Sequence, residues 1–128
     1  MQKNIKNIII GVVLVVLFIA GLVYWAGNSG NVATDPKMDA FAQCLKDKGA
    51  AFYGAFWCSH CNNQKKLLGN SKNIPYTECS TADGKGQLQV CIDKKIEGYP
   101  TWIFADGTTQ SGEVSLQQLS DKTSCQLP

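Results

Sequence analysis

The chain has 128 residues, of which 12 are lysine, 10 are acidic and none is arginine, for a net charge of +2. A balance this close to neutral, with the lysines scattered and no guanidinium present, excludes a nucleic-acid interface built on a basic face. Six cysteines in so short a chain point to metal binding, redox chemistry or an oxidising compartment, and the length leaves room for one small domain beside a membrane segment.

Residues 1–7 contain Lys3 and Lys6, and residues 8–27 then run for twenty positions without a charged or amide side chain. At about 1.5 Å per residue that run can cross a bilayer as one helix, closed by Tyr24 and Trp25 as interfacial aromatics. No basic residue follows until Lys37, so the positive-inside rule predicts a cytoplasmic N-terminus and a periplasmic or extracellular remainder. The competing reading is a cleaved signal peptide, whose apolar core is shorter, about 7 to 15 residues, and ends at small residues. Tyr24-Trp25-Ala26 places bulk where a small side chain is wanted, which favours an uncleaved, single-pass anchor.

Residues 28–35 are small and polar and read as a flexible linker to a domain spanning 36–128. Asp35 before Pro36 predicts an N-cap followed by proline in the first turn, and Met38, Phe41, Ala42 and Leu45 give a helical stripe ending near Lys48-Gly49. Residues 50–57 are apolar and aromatic, as a strand buried on both faces should be. A helix follows over 58–68 with Gly69 as its stop, then a short strand at 74–79 and a turn at 83–86. Residues 87–96 predict a helix with Leu88, Cys91 and Ile92 on its inner face, and 101–105 with 108–112 predict a hairpin. Ser115 with Gln118 is a capping box opening a last helix that runs to about Ser124. The expected architecture is α/β, in the order α-β-α-β-α-β-β-α after the apolar segment.

The chemistry concentrates at Trp57-Cys58-Ser59-His60-Cys61, where the buried strand hands over to a helix. Unpaired N–H groups and the positive end of the helix dipole favour a thiolate at Cys58, which makes it the nucleophile. Cys61, one turn further in and more shielded, is then the thiol that resolves a mixed disulfide. His60 is the only histidine and, as imidazolium, would stabilise the Cys58 thiolate, while no acidic residue adjoins Cys58 in the sequence. Other uses of two cysteines at this spacing fit less well. Haem attachment needs histidine after Cys61, where Asn62 stands, and zinc needs a second close pair, whereas Cys79 and Cys91 are separated by eleven residues. A purely structural disulfide stays open as an alternative, and no metal or organic cofactor is expected.

Element order and motifs together resemble a thioredoxin-like fold over residues 40–125, a central mixed sheet flanked by helices. Tyr53-Gly-Ala-Phe-Trp-Cys-Ser-His-Cys61, Ile74-Pro-Tyr-Thr-Glu-Cys-Ser80 and Ile96-Glu-Gly-Tyr-Pro-Thr-Trp102 are similar to the thioredoxin-like domain of bacterial vitamin K epoxide reductase homologues. The Cys-x-His-Cys centre also resembles periplasmic Dsb-type thiol oxidases. The resemblance implies that Pro100 is a cis-proline facing the active disulfide, and that Tyr99 offers backbone groups to an extended client chain beside Trp57 and Ser59. It departs from the family in two places: Ser59 replaces the proline of the near relatives, and Phe52 occupies the position of the buried acid found in many thioredoxins. One apolar helix cannot form the reductase bundle, so a separate membrane redox partner of vitamin K epoxide reductase type is implied.

Four cysteines remain, which predicts two structural bridges. Cys79 with Cys91 would close a local loop, and Cys44 with Cys125 would tie the ends of the domain together; the alternative is that Cys44 and Cys91 are small buried hydrophobes. The expected function is a monomeric, membrane-anchored, extracytoplasmic thiol-disulfide oxidoreductase that acts on protein cysteines through Cys58, His60 and Cys61, with oxidation as the favoured direction. A reductant or isomerase fed by a membrane partner, and a redox-inactive module that only holds client chains, are the alternatives.

Overall fold

The computed structural model describes residues 2–27 and 35–128, so all of the linker but Asp35 lies outside the described residues. The chain divides into two units, Met1–Ala33 and Thr34–Pro128. The described residues of the first form helix α1 (Gln2–Gly27), which begins in the polar residues ahead of the apolar run. Its segment Asn4–Tyr24 has mean hydropathy 2.7 with no part buried, so it is long and apolar enough to cross a membrane.

In the second unit the expected order is present. Helix α2 (Pro36–Asp47) starts where the Asp35 carboxylate accepts from the Lys37 N–H, and Phe41, Ala42 and Leu45 are its buried stripe. Strand β1 (Ala51–Gly54) leads to α3 (Ser59–Leu67), then β2 (Tyr76–Glu78), α4 (Gln89–Asp93), β3 (Thr101–Ile103), β4 (Thr109–Ser111) and α5 (Leu116–Thr123). The capping box at Ser115 and Gln118 is formed.

The sheet order is β2-β1-β3-β4, with β1 parallel to β2 and antiparallel to β3, which pairs antiparallel with β4. Alternation along β1 divides the core. Phe52 faces one side, stacked on Trp102 at 5.0 Å between ring centres, with Phe41, Leu45, Leu68 and Leu119 from α2, the α3 end and α5. Tyr53 faces the other side with Cys79, Cys91 and Ile96.

Two expectations need correction. The apolar run 50–57 is a strand only over Ala51–Gly54, and Phe56 and Trp57 stand about half exposed (50% and 55%). Beyond Gly54 the partner strand has ended at Glu78, so the chain leaves the sheet and turns these rings outward. The helix expected at 87–96 is only Gln89–Asp93, and of Leu88, Cys91 and Ile92 only Cys91 is buried. Lys95, at φ 55°, turns the chain back so that Ile96 fills the space expected for those side chains, its N–H donating to the Cys91 carbonyl.

Candidate active site

Cys58 is the last extended residue before α3 (φ −78°, ψ 116°), and its sulfur is the helix cap: the Cys61 N–H donates to Cys58 Sγ at 3.3 Å. A thiolate at that atom would face the unpaired N–H groups and positive dipole end of the first turn. The Cys58 Sγ–H also reaches the Tyr99 carbonyl oxygen at 3.7 Å. That contact brings the sulfur against a loop 41 residues further along the chain, in which the Tyr99–Pro100 bond is cis and Pro100 is fully buried. Cys58 and Cys61 are free thiols, and Cys61 is wholly inaccessible. Burial, followed by the hydrogen bond to Cys58, pushes the Cys61 thiol up to about 12.

Trp57 spans the approach to Cys58. Its indole N–H donates to Ser80 Oγ at 2.9 Å, and its ring meets Tyr99 edge-on at 5.9 Å. An open groove of about 770 Å³ beside Cys58 is lined by Trp57, Lys85, Gln87, Ile96, Glu97 and Tyr99 among others. Ser59 is exposed at the start of α3.

His60 sits differently from the sequence reading. Its ring, 68% exposed, is held by the Glu113 carboxylate with Nδ1 and Oε1 2.6 Å apart, and the partners of the Cys58 sulfur are Cys61 and Tyr99. Asn63 donates to the same carboxylate, and these bonds from His60 and Asn63 hold the Glu113 carboxyl below its usual range.

Three further residues escaped the sequence reading. Gln64 is a fully buried amide on α3 that accepts from the Val114 N–H at 2.7 Å and donates to the Val114 carbonyl at 3.0 Å, locking α3 to the segment before α5. Glu78 accepts from Phe56 N–H (3.2 Å), Ser80 N–H (2.9 Å) and Tyr76 Oη–H (2.7 Å), clamping the turn that carries Trp57 and Cys58. Burial works against its charge, but those hydrogen bonds and Lys65 outweigh it and lower its pKa. Tyr76, in the short second strand, meets Phe52 edge-on at 5.1 Å and carries Lys65 Nζ 3.4 Å from its ring centre. The bonds of Gln64 to Val114 and of Glu78 to Phe56 join positions 50 and 22 residues apart, which no local pattern marks.

Gly54 is where the site is tightest. A Cβ there would lie 2.8 Å from Cys61 Sγ and 2.9 Å from Tyr76 Cε2, so only the absence of a side chain lets thiol, ring and strand close together. The other cysteines form two disulfides, Cys44–Cys125 and Cys79–Cys91, both with buried cysteine partners at positions 125, 79 and 91. Among the described residues there is no cluster of histidine, cysteine and acidic side chains able to hold a metal ion.

No family model matches the chain. It is 41% identical over 100 residues to thiol-disulfide oxidoreductase LTO1 of Arabidopsis thaliana, covering 74% of this chain and 26% of that protein. It is 32% identical over 97 residues to the thioredoxin domain-containing protein 5 homolog of Drosophila melanogaster, covering 63% of this chain and 22% of that protein. The chain thus spans about a quarter of the length of the curated relatives it matches.

Proposed function

We propose that this chain is a membrane-anchored thiol-disulfide oxidoreductase whose domain faces the extracytoplasmic side and exchanges disulfides with protein cysteines. The observation that carries the reading is the Cys58 sulfur itself: it caps α3, lies on the carbonyl before a cis-proline, and has a second free thiol one turn away. The Cys-Ser-His-Cys centre, the likeness to the thioredoxin-like domain of vitamin K epoxide reductase homologues and to Dsb-type oxidases, and the apolar span Asn4–Tyr24 support the finer assignment.

In the oxidising direction a client thiolate attacks Cys58 of the Cys58–Cys61 disulfide, and Cys61 leaves as thiolate and takes a proton. A second client thiolate then attacks the client sulfur of the mixed disulfide and expels Cys58, so the client gains the disulfide and the chain is left as dithiol. The helix N-terminus stabilises the leaving Cys58 thiolate, which favours this direction. Trp57, Ser59 and Tyr99 border the client chain, with Pro100 buried behind Tyr99. His60 is paired with Glu113 beside the site. A separate membrane partner would reoxidise the dithiol.

The reading is tested by Cys61→Ala. Exchange runs both ways, so the Cys58 thiolate of this variant still attacks client disulfides, but no neighbouring thiol can then expel the client from Cys58, giving adducts that reductant dissolves and that Cys58→Ala abolishes. Cells expressing Cys61→Ala with no such adducts on non-reducing gels would refute it.

A further inference from the structure

The mechanism leaves a difficulty at Cys61. Its thiol is fully buried, yet resolving a mixed disulfide requires it to become a thiolate. The surroundings hold one cation arranged to help. Lys65 lies four residues after Cys61 on α3, hence on the same face of the helix. Its Nζ stands 3.4 Å from the centre of the Tyr76 ring, and that ring and Cys61 Sγ crowd the same point over Gly54. Tyr76 thus carries the ammonium over its face, while its Cε2 and the Cys61 Sγ both lie within 3 Å of the point a Gly54 Cβ would occupy. Phe52 meets the ring edge-on at 5.1 Å and fixes its plane, and Tyr76 Oη–H donates to Glu78. Glu78 accepts from Tyr76 and from the Phe56 and Ser80 N–H groups, and the Lys65 charge acts on this carboxylate as well as on Cys61. Lys65 is itself only partly exposed, which lessens the screening of its charge.

We propose that Lys65, seated on Tyr76, is the positioning charge that makes Cys61 competent to resolve mixed disulfides. The proposal rests on the exchange reading above and assigns a step within it. The balance is simple: the Cys61 thiol gives its proton to solvent base, and its thiolate attacks Cys58 Sγ in the Cys58–S–S–R adduct. The Cys58–Cys61 bond forms as the bond to R breaks, and R leaves as thiolate with the electron pair. The cysteine pair is oxidised and the incoming disulfide is reduced. The same side chain acts in reverse when Cys61 is the leaving group. Among the causes acting on the Cys61 thiol, the Lys65 charge lowers its pKa against the larger effect of burial.

The test uses the reduced full chain in detergent micelles and the chromogenic disulfide dithiobis-nitrobenzoate. Attack by Cys58 releases one equivalent of coloured thiol, and attack by Cys61 releases the second, so the two steps are timed separately. Lys65→Gln should leave the first release within about twofold and slow the second by about threefold or more. Each unit of acidity lost lowers the thiolate fraction tenfold, and the gain in nucleophilicity returns about threefold of it. Across variants the second release should follow charge, Lys65→Arg near the parent chain, Lys65→Gln slower and Lys65→Glu slowest, with parallel lines of log rate against pH. Added salt should slow the parent chain and not Lys65→Gln. Equal second-release rates across the series, or equal slowing of both releases, would overturn the proposal while leaving the exchange reading intact. A parent chain that never releases the second equivalent would overturn both.

Discussion

Glu78 gathers two near neighbours in sequence, Tyr76 and Ser80, and one distant residue, Phe56, on a single carboxylate. Its carboxylate joins the second strand to the turn before Cys58, across 22 residues in its bond to Phe56. Its pKa is lowered in the folded chain from an ordinary 4.5, because the hydrogen bonds from Tyr76, Ser80 and Phe56, with the Lys65 charge, outweigh the burial that opposes its charge. A carboxyl with a depressed folded pKa stabilises the fold above its unfolded value, and that contribution disappears as pH falls through the folded value. Glu78→Gln should therefore cost about 1 kcal/mol near neutral pH, a difference that shrinks once pH falls below 4.5. Urea unfolding of both proteins at several pH values checks this, and a difference that stays constant with pH would contradict it. The spacing of Cys58 and Cys61 was legible because its chemistry is local, whereas Pro100 was expected from the family resemblance, its loop meeting Cys58 across 41 residues. Glu113 beside His60 and Gln64 against Val114 were not, since they meet across 53 and 50 residues, and a glutamine on a helix reads as a solvent-facing residue until its partner is known.

At the scale of elements, the helix beyond β2 was overread because the spacing of Leu88 and Ile92 matches an amphipathic helix. What governs the segment is its attachment at both ends. Cys91 is bonded to Cys79, the Leu88 N–H donates to the Cys79 carbonyl, and the Gln87 amide reaches the Ile96 carbonyl. With Cys91 and Ile96 fixed in the core, Leu88 and Ile92 fall outside it. The same attachment carries Lys85 and Gln87 to the groove beside Cys58. The Cys79–Cys91 bridge, at a separation of 12, should stabilise the domain by about 3 kcal/mol on the chain-entropy account. The double variant Cys79→Ala with Cys91→Ala should lose that amount in denaturant unfolding, and a loss below about 1 kcal/mol would mean that the cluster around Tyr53 and Ile96 holds the loop without it.

For the whole molecule, the order of elements was readable because turns, caps and apolar runs punctuate the chain. Strand lengths were not, because they depend on where the partner strand stops: β1 ends at Gly54, opposite Glu78, although the apolar run goes on to Trp57. That ending is what matters for function, since it turns Trp57 out beside the groove and sets Cys58 at the head of α3. The fold thereby brings α3, the Tyr99–Pro100 loop and the turn held by Glu78 to one sulfur atom.

On the proposed function, Cys58 and Cys61 form a dithiol–disulfide couple that oxidises client thiols. Equilibrating the full chain in glutathione buffers, then quenching and alkylating before mass analysis of the 58–61 peptide, measures that couple directly. The account predicts a single two-electron transition confined to these two sulfurs, with a midpoint nearer about −120 mV than about −270 mV. A midpoint close to −270 mV would reverse the direction and favour a reductant. If Cys58 and Cys61 never join under any buffer, the exchange centre itself is contradicted.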